Sequence, residues 1–278
     1  MKLIYENERG RVVMHGGGGK GFNITSISGL SLPENDVATV RYPNVAGQIV
    51  TKSNPMERII TISADVKDEN GKYISEAAAI FSKKGMIYIT SFGKTKKIEA
   101  RCVSFEPNKR KGAYVPVTIQ FCADDPYFCD IYETKVQIFN RFGVLSSPFV
   151  LGCMLSERRT KRDIINRGDV PIEPVFEITS EIGTACPEGI SIKNITSGKT
   201  ILLNTDILQG ETITVDIEKR KITSNVRGNI ILCLDQYSSL SDFYIDRGIS
   251  TIEVDATDSN GTIFVSCSFN NRYISVLI

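Results

Sequence analysis

At 278 residues the chain is long for one small domain and comfortable for two, each able to bury its own core. Its 33 basic residues balance 32 acidic ones, which excludes a whole-chain electrostatic attraction to nucleic acid or to an anionic membrane. With one histidine and no C-x-x-C pair among Cys102, Cys122, Cys129, Cys153, Cys186, Cys233 and Cys267, zinc ligation is not indicated, and these thiols read as reduced core residues.

The first residues, Met1-Lys2-Leu3-Ile4-Tyr5-Glu6-Asn7-Glu8, carry acids where an export signal needs an apolar core. No window approaches the ~18 apolar residues of a spanning helix, so the expectation is a soluble chain folded in a cytoplasm, with no membrane partner. The Asn-x-Ser/Thr sequons at Asn23, Asn194 and Asn260 then read as turn and strand chemistry.

Short strand candidates at 2–5 and 11–15 lead into a glycine cluster. Gly16, Gly18 and Gly21 fit G-x-G-x-x-G, with Asp36 about where a dinucleotide fold keeps its ribose-binding acid. That mechanism needs a helix opening at the third glycine. Phe22-Asn23-Ile24-Thr25-Ser26-Ile27 is β-branched instead, so the cluster reads as a loop between strands and no cofactor is expected. Further strands are predicted at 36–42, 47–52 and 57–66, the last with Ile60, Ile62 and Ala64 on one face. One helix is predicted at about 75–84, capped by Ser75, with Glu76 in its first turn and Lys83-Lys84-Gly85 ending it. Ile74, Ala77, Ala78 and Phe81 form its docking stripe. Strands at 86–92 and 96–105 follow. Basic residues crowd 94–111, without interleaved aromatics, and Lys109-Arg110-Lys111-Gly112 reads as a solvated hairpin tip rather than a nucleic-acid patch.

The alternation of Val117, Ile119 and Phe121 with Thr118 and Gln120 is a half-buried strand that must end at Pro126. Asp124, Asp125, Pro126 and Tyr127 therefore read as a domain joint, dividing a first β domain with one helix (1–130) from a second, wholly β domain (131–278). In the second, runs at 135–142, 149–155, 172–182, 190–195, 200–203, 211–217, 220–223, 229–234, 243–245, 249–254 and 262–269 suggest a sandwich, and 157–162 a charged loop or edge strand. The fold class is mainly β. Glu173, Glu177, Glu188, Asp216 and Glu218 supply carboxylates for sugar chemistry, but the chain has no tryptophan for ring stacking, and no catalytic or metal residues are assigned.

In order along the chain, several segments resemble the siphophage distal tail protein family, Dit. They are Gly21-Phe22 with Ile27-Ser28-Gly29-Leu30, Arg58-Ile59-Ile60-Thr61-Ile62, Phe121-Cys122-Ala123-Asp124-Asp125-Pro126-Tyr127, the turn at Asn166, Gly168 and Asp169 before Pro171-Ile172-Glu173-Pro174, Ile192-Lys193-Asn194-Ile195-Thr196-Ser197-Gly198, and Gly210-Glu211-Thr212-Ile213. The resemblance implies an N-terminal domain whose six copies ring a central channel and an outward, galectin-like β-sandwich. It implies a structural protein of the virion tail tip, without enzyme activity. Its expected partners are copies of itself as a hexamer, the tail tube protein, the tail-associated lysin or fibre protein, and receptor-binding proteins. A hairpin carrying Arg41, Tyr42, Asn44, Gln48 and Arg58 is the expected reach toward a neighbouring subunit. A carbohydrate-binding or glycoside-acting sandwich is the alternative.

Overall fold

The computed structural model describes residues 1–16, 21–43, 46–68, 71–110, 112–143, 156–180, 182–256 and 263–276, and, within these, only the backbone of 140–143 and 156–159. The chain forms two compact units, Met1–Ile131 with Arg272–Ile278, and Tyr132–Asn271. Among the described residues no helix is long and apolar enough to cross a membrane.

The first unit is built from β1 (Lys2–Asn7), β2 (Gly10–His15), β3 (Phe22–Ser28), β4 (Asn35–Val40), β5 (Ile49–Pro55), β6 (Arg58–Val66), α1 (Lys72–Phe81), β7 (Gly85–Ser91), β8 (Lys94–Pro107), β9 (Val115–Ala123) and β10 (Phe128–Asp130). Strands β8, β7, β1, β2, β3, β6 and β9 neighbour one another in that order, and β9 returns to β8, closing a barrel. Closure depends on the length of β8. Its first half pairs with β7 from Ser91↔Lys94 to Gly85↔Ala100, and its second half pairs with β9 from Arg101↔Cys122 to Pro107↔Val117. A closed barrel leaves few free edges. The period-2 faces of β6 and β9 send Ile60, Ile62, Val117, Ile119 and Phe121 inward.

Helix α1 begins three residues earlier than its sequence suggests. Ser75 does not cap it; Gly71 does, at φ 73°, and the Asp68 carboxylate accepts from the Ile74 N–H at 3.0 Å. Gly71 can occupy that left-handed conformation without a Cβ clash. The helix ends at Phe81, before Lys83 and Lys84, and its last carbonyls are met from β1: Asn7 Nδ2 donates to Ile80 O at 2.7 Å. Ala77 and Phe81 are buried, with Ile74 and Ile80 beside them, whereas Ala78 faces out. Phe81 meets Tyr5, Phe105 and Phe121 edge-on, 5.2 to 5.5 Å between centroids, and this aromatic knot fixes the helix on the barrel.

The glycine cluster leads into strand β3, as the β-branched run suggests; its residues 17–20 lie outside the described residues. Between β7 and β8 the turn is only Phe92-Gly93, both at positive φ (47° and 78°). Two-residue hairpin turns of that hand prefer Asn-Gly, because a bulky side chain at positive φ is strained by about 1 kcal/mol or more.

The second unit comprises β11 (Thr134–Gly143), β12 (Ser156–Arg159), β13 (Lys161–Asn166), β14 (Val175–Ser180), β15 (Ile190–Asn194), β16 (Lys199–Leu203), β17 (Thr212–Asp216), β18 (Lys221–Ser224), β19 (Gly228–Asn229), β20 (Gly248–Ala256) and β21 (Ile263–Phe269). They form a seven-stranded sheet, β12-β11-β21-β14-β17-β18-β19, and a four-stranded sheet, β13-β20-β15-β16. Both sheets feed one core: Phe176, Ile178, Ile213, Val215 and Val265 from the first, Ile190, Ile192, Ile201, Leu203, Ile252 and Val254 from the second. This is a β-sandwich. Its strands are shorter than the apolar runs suggest. The 229–234 run is mostly a 3-10 turn at Ile231–Cys233, and 243–245 contributes a single bridge, Ile172↔Ile245. The predicted strand at 149–155 lies outside the described residues.

The last residues belong elsewhere than their position suggests. Arg272–Ile278 form part of the first unit, not the second, because β22 (Arg272–Tyr273) pairs with β10 and Val276 enters the barrel core.

Candidate functional site

Strands β4 and β5 form a separate two-stranded sheet, an arm on the first unit. All thirteen of its strand residues are exposed. A lone hairpin in water is marginally stable at best. Cross-strand neighbours point the same way, so Val40 and Ile49 share one face while Val37 and Val50 fall on the other. All four apolar side chains are exposed, so neither face of the arm is packed. Arg41, Tyr42 and Gln48 lie at the arm's tip and are exposed; Asn44 is outside the described residues.

Arg58 does not belong to that reach. It is 2% exposed, the first inward position of β6, in phase with Ile60 and Ile62. Its guanidinium donates to four backbone carbonyls: Nε to Pro126 at 2.5 Å, Nη1 to Gly29 and to Ser31 at 2.6 Å each, Nη2 to Ile274 at 2.7 Å. Its carbon centre lies 4.5 Å from the Phe128 ring centroid. Burial pushes the Arg58 pKa down to about 10, with Asp125 and Tyr127 acting in the opposite sense, so the group stays charged at neutral pH. Gly29 must be glycine: at φ 84° a Cβ would stand 2.0 Å from the Ile59 carbonyl oxygen.

The predicted joint residues find their partners within the first unit. Asp125 takes Arg272 Nη2 on both carboxylate oxygens at 2.7 Å, and the Arg272 guanidinium sits over the Tyr127 ring. Pro126 supplies a carbonyl to Arg58, and Asp124 meets Arg101 at 3.1 Å. Lys96 adds a second hold on the tail: its ammonium lies 2.5 Å from Asp130 and 3.3 Å from the Tyr273 ring centroid. Residues 125–130 thus receive the returning segment at Arg272 and Tyr273.

At the base of the arm, where Met56 N–H donates to Glu34 O at 2.8 Å, a cleft of about 410 Å³ opens. Leu32, Met56 and Ile59 line it with exposed apolar surface, and exposed Glu34 and Glu57 line it as well.

In the second unit Asn166 is buried and its amide donates to Val170 O and Ile245 O, while its oxygen accepts from Gly168 N–H at 2.8 Å. Asp169 faces Arg247 at 4.0 Å. The Asn166, Gly168 and Asp169 turn is therefore a structural Asx turn. Asn194 is buried and likewise holds a turn, accepting from Thr196 and Ser197 N–H groups. Sequence reasoning missed a buried ion pair: Glu211, fully buried, accepts from Arg227 at 2.7 and 2.9 Å, from Leu208 N–H at 2.8 Å and from the Ser224 hydroxyl. Burial alone raises a carboxyl pKa, but these donors outweigh it and hold Glu211 below its ordinary value.

The carboxylates weighed for sugar chemistry are scattered or engaged. Glu177 and Asp216 sit diagonally on adjacent strands, and each is ion-paired, with Lys135 and Lys219 respectively. Glu188 and Glu218 are exposed on turns. Among the described residues no three His, Cys, Asp or Glu side chains gather as metal ligands.

Residues 167–273 match the family of siphovirus-type tail components, C-terminal domain. The second unit is thus similar to the C-terminal domain of siphovirus-type tail components. No curated protein matches the chain in sequence. Its fold is similar to that of the Dit protein (gp 19.1) of phage SPP1, described as a paradigm of hub adsorption apparatus in Gram-positive-infecting phages: TM-score 0.68, 11% identity, 91% of this chain and 93% of that one covered. Two structures of the phage p2 baseplate in its activated conformation, with calcium and with strontium, are similar over 99% of both chains, at TM-scores of 0.52 and 0.51 and identities of 11% and 12%. At these identities the likeness is one of fold, and it covers both units of the chain.

Proposed function

We propose that this chain is a structural hub subunit of a long-tailed phage or prophage tail tip, six copies forming a ring around a channel through their barrel units. Such a ring would join the tail tube on one side to a tail-associated lysin or fibre protein on the other, with receptor-binding proteins at its periphery. The chain would assemble in the bacterial host and act without cofactor or catalysis. The observation that carries the reading is the tail-component domain match at 167–273, on a chain whose whole fold follows a phage hub protein. The exposed arm supports the ring. A closed cyclic assembly joins two different patches of each subunit, and a ribbon with two uncovered faces and two open edges is suited to lie on a neighbour.

Negative-stain imaging and mass photometry of the purified chain, alone and with its tail tube protein, test this directly. Six-fold rings are the expected result; a strict monomer under every condition overturns the ring. The joint role proposed for residues 124–127 has its own test. Pro126→Ala with Tyr127→Ala is expected to loosen assembly while both units still fold, and unchanged assembly removes that role.

A further inference from the structure

We propose that the Phe92 tip of the β7–β8 hairpin docks into the cleft at the base of the arm on the next copy of this chain, an inference that rests on the ring described above.

Phe92 is 86% exposed and sits at φ 47° in a two-residue turn where Asn would be relaxed. An aromatic ring held in solvent on a strained backbone serves neither local conformation nor burial. Such local conflicts mark sites selected for contact with something else. The hairpin beneath it is rigid, zipped from Ser91↔Lys94 to Gly85↔Ala100 and closed into the barrel wall. A preorganised aromatic on a rigid support is a favourable anchor, because little freedom is lost on docking.

The cleft offers what that anchor needs. At about 410 Å³ it has room for a phenyl ring, and exposed Leu32, Met56 and Ile59 supply apolar walls. Charge identifies the occupant. Lys94 follows the Phe92-Gly93 tip and is exposed, while the cleft lining includes exposed Glu34 and Glu57. Among the described residues these three side chains have no ion-pair partner within the chain, and inserting the tip brings opposite charges together.

The occupant is a second copy, because the subunit's own tip is exposed and contributes no residue to its own cleft. Around the closed barrel, the β7–β8 turn and the start of β6 are separated by β9 on one side and by β1, β2 and β3 on the other. Knob and cleft therefore stand on different walls, as a head-to-tail ring contact requires. This contact is separate from that of the arm.

The test uses the full-length chain under conditions where the wild type forms rings. Phe92→Asn suits the turn, so it should fold with an unchanged or higher melting temperature. It is expected to weaken assembly by roughly tenfold or more, as loss of a central aromatic anchor does. Lys94→Glu should also weaken assembly, and adding Glu57→Lys to Lys94→Glu should restore it. Folded Phe92→Asn rings of wild-type affinity overturn the inference and leave the hub reading intact, whatever else the tip then binds. A double charge reversal no better than Lys94→Glu alone also overturns it. A wild type that never assembles overturns both.

Discussion

Arg58 meets four backbone carbonyls from three segments with one planar group, a task that a lysine, as a single point charge, cannot reproduce. Arg58→Met is expected to destabilise the first unit by about 3–5 kcal/mol, because buried carbonyls are left unpaired. Arg58→Lys should fall between the variant and the wild type, and denaturant midpoints check both. Glu211 makes a pH-dependent contribution in the sandwich. Its folded pKa lies below the ordinary 4.5, so the stabilisation is present above that value and fades as pH falls through the folded pKa. At neutral pH Glu211→Gln should cost about 2–3 kcal/mol, since Arg227 keeps some solvent. The gap to wild type should narrow as pH drops from about 5 toward 3, which thermal melts at several pH values read directly.

Element by element, burial separates what folds the chain from what is left for partners. Because no strand residue of β4 or β5 is buried, replacing 36–54 by a short Gly-Ser link should change stability by less than about 1 kcal/mol while abolishing rings. Ending the chain at Asn271 has the opposite profile: it removes β22, the Ile274 acceptor and buried Val276, and is expected to lower the first unit's melting temperature by several degrees or more. Much of this was legible in the sequence. Period-2 alternation marked β6 and β9, and a stripe of Ile74, Ala77 and Phe81 marked α1. The errors are local competitions: Ser75 is a good cap residue, but Gly71 with Asp68 closes the turn earlier. Arg58 closes the segment expected to form the arm, although its phase with Ile60 and Ile62 already places it inside. Phe92 was read as the end of a strand because a phenylalanine is rarely the first residue of a tight turn. The tail's return had no local signal, since its partners lie far away in sequence.

For the whole molecule, the sandwich is a passenger in the barrel's chain path: Tyr132–Asn271 interrupts a unit that begins before it and resumes after it. The hydrogen bonds that complete the barrel span 216 residues from Arg58 to Ile274 and 245 from Leu30 to Ser275. Contacts of such separation form last, after the closure entropy of the intervening chain has been met. During synthesis the barrel strands emerge first, yet their strap follows only after the 140 residues of the second unit (271 − 132 + 1), on the order of ten seconds later at bacterial rates. Until then Arg58 lacks its Ile274 acceptor and Asp125 its arginine. A chain broken off anywhere in the sandwich therefore carries an unlatched barrel. In the ring proposed above, the latch would make completeness a condition of fit, since a truncated copy would offer its neighbour an unfinished barrel.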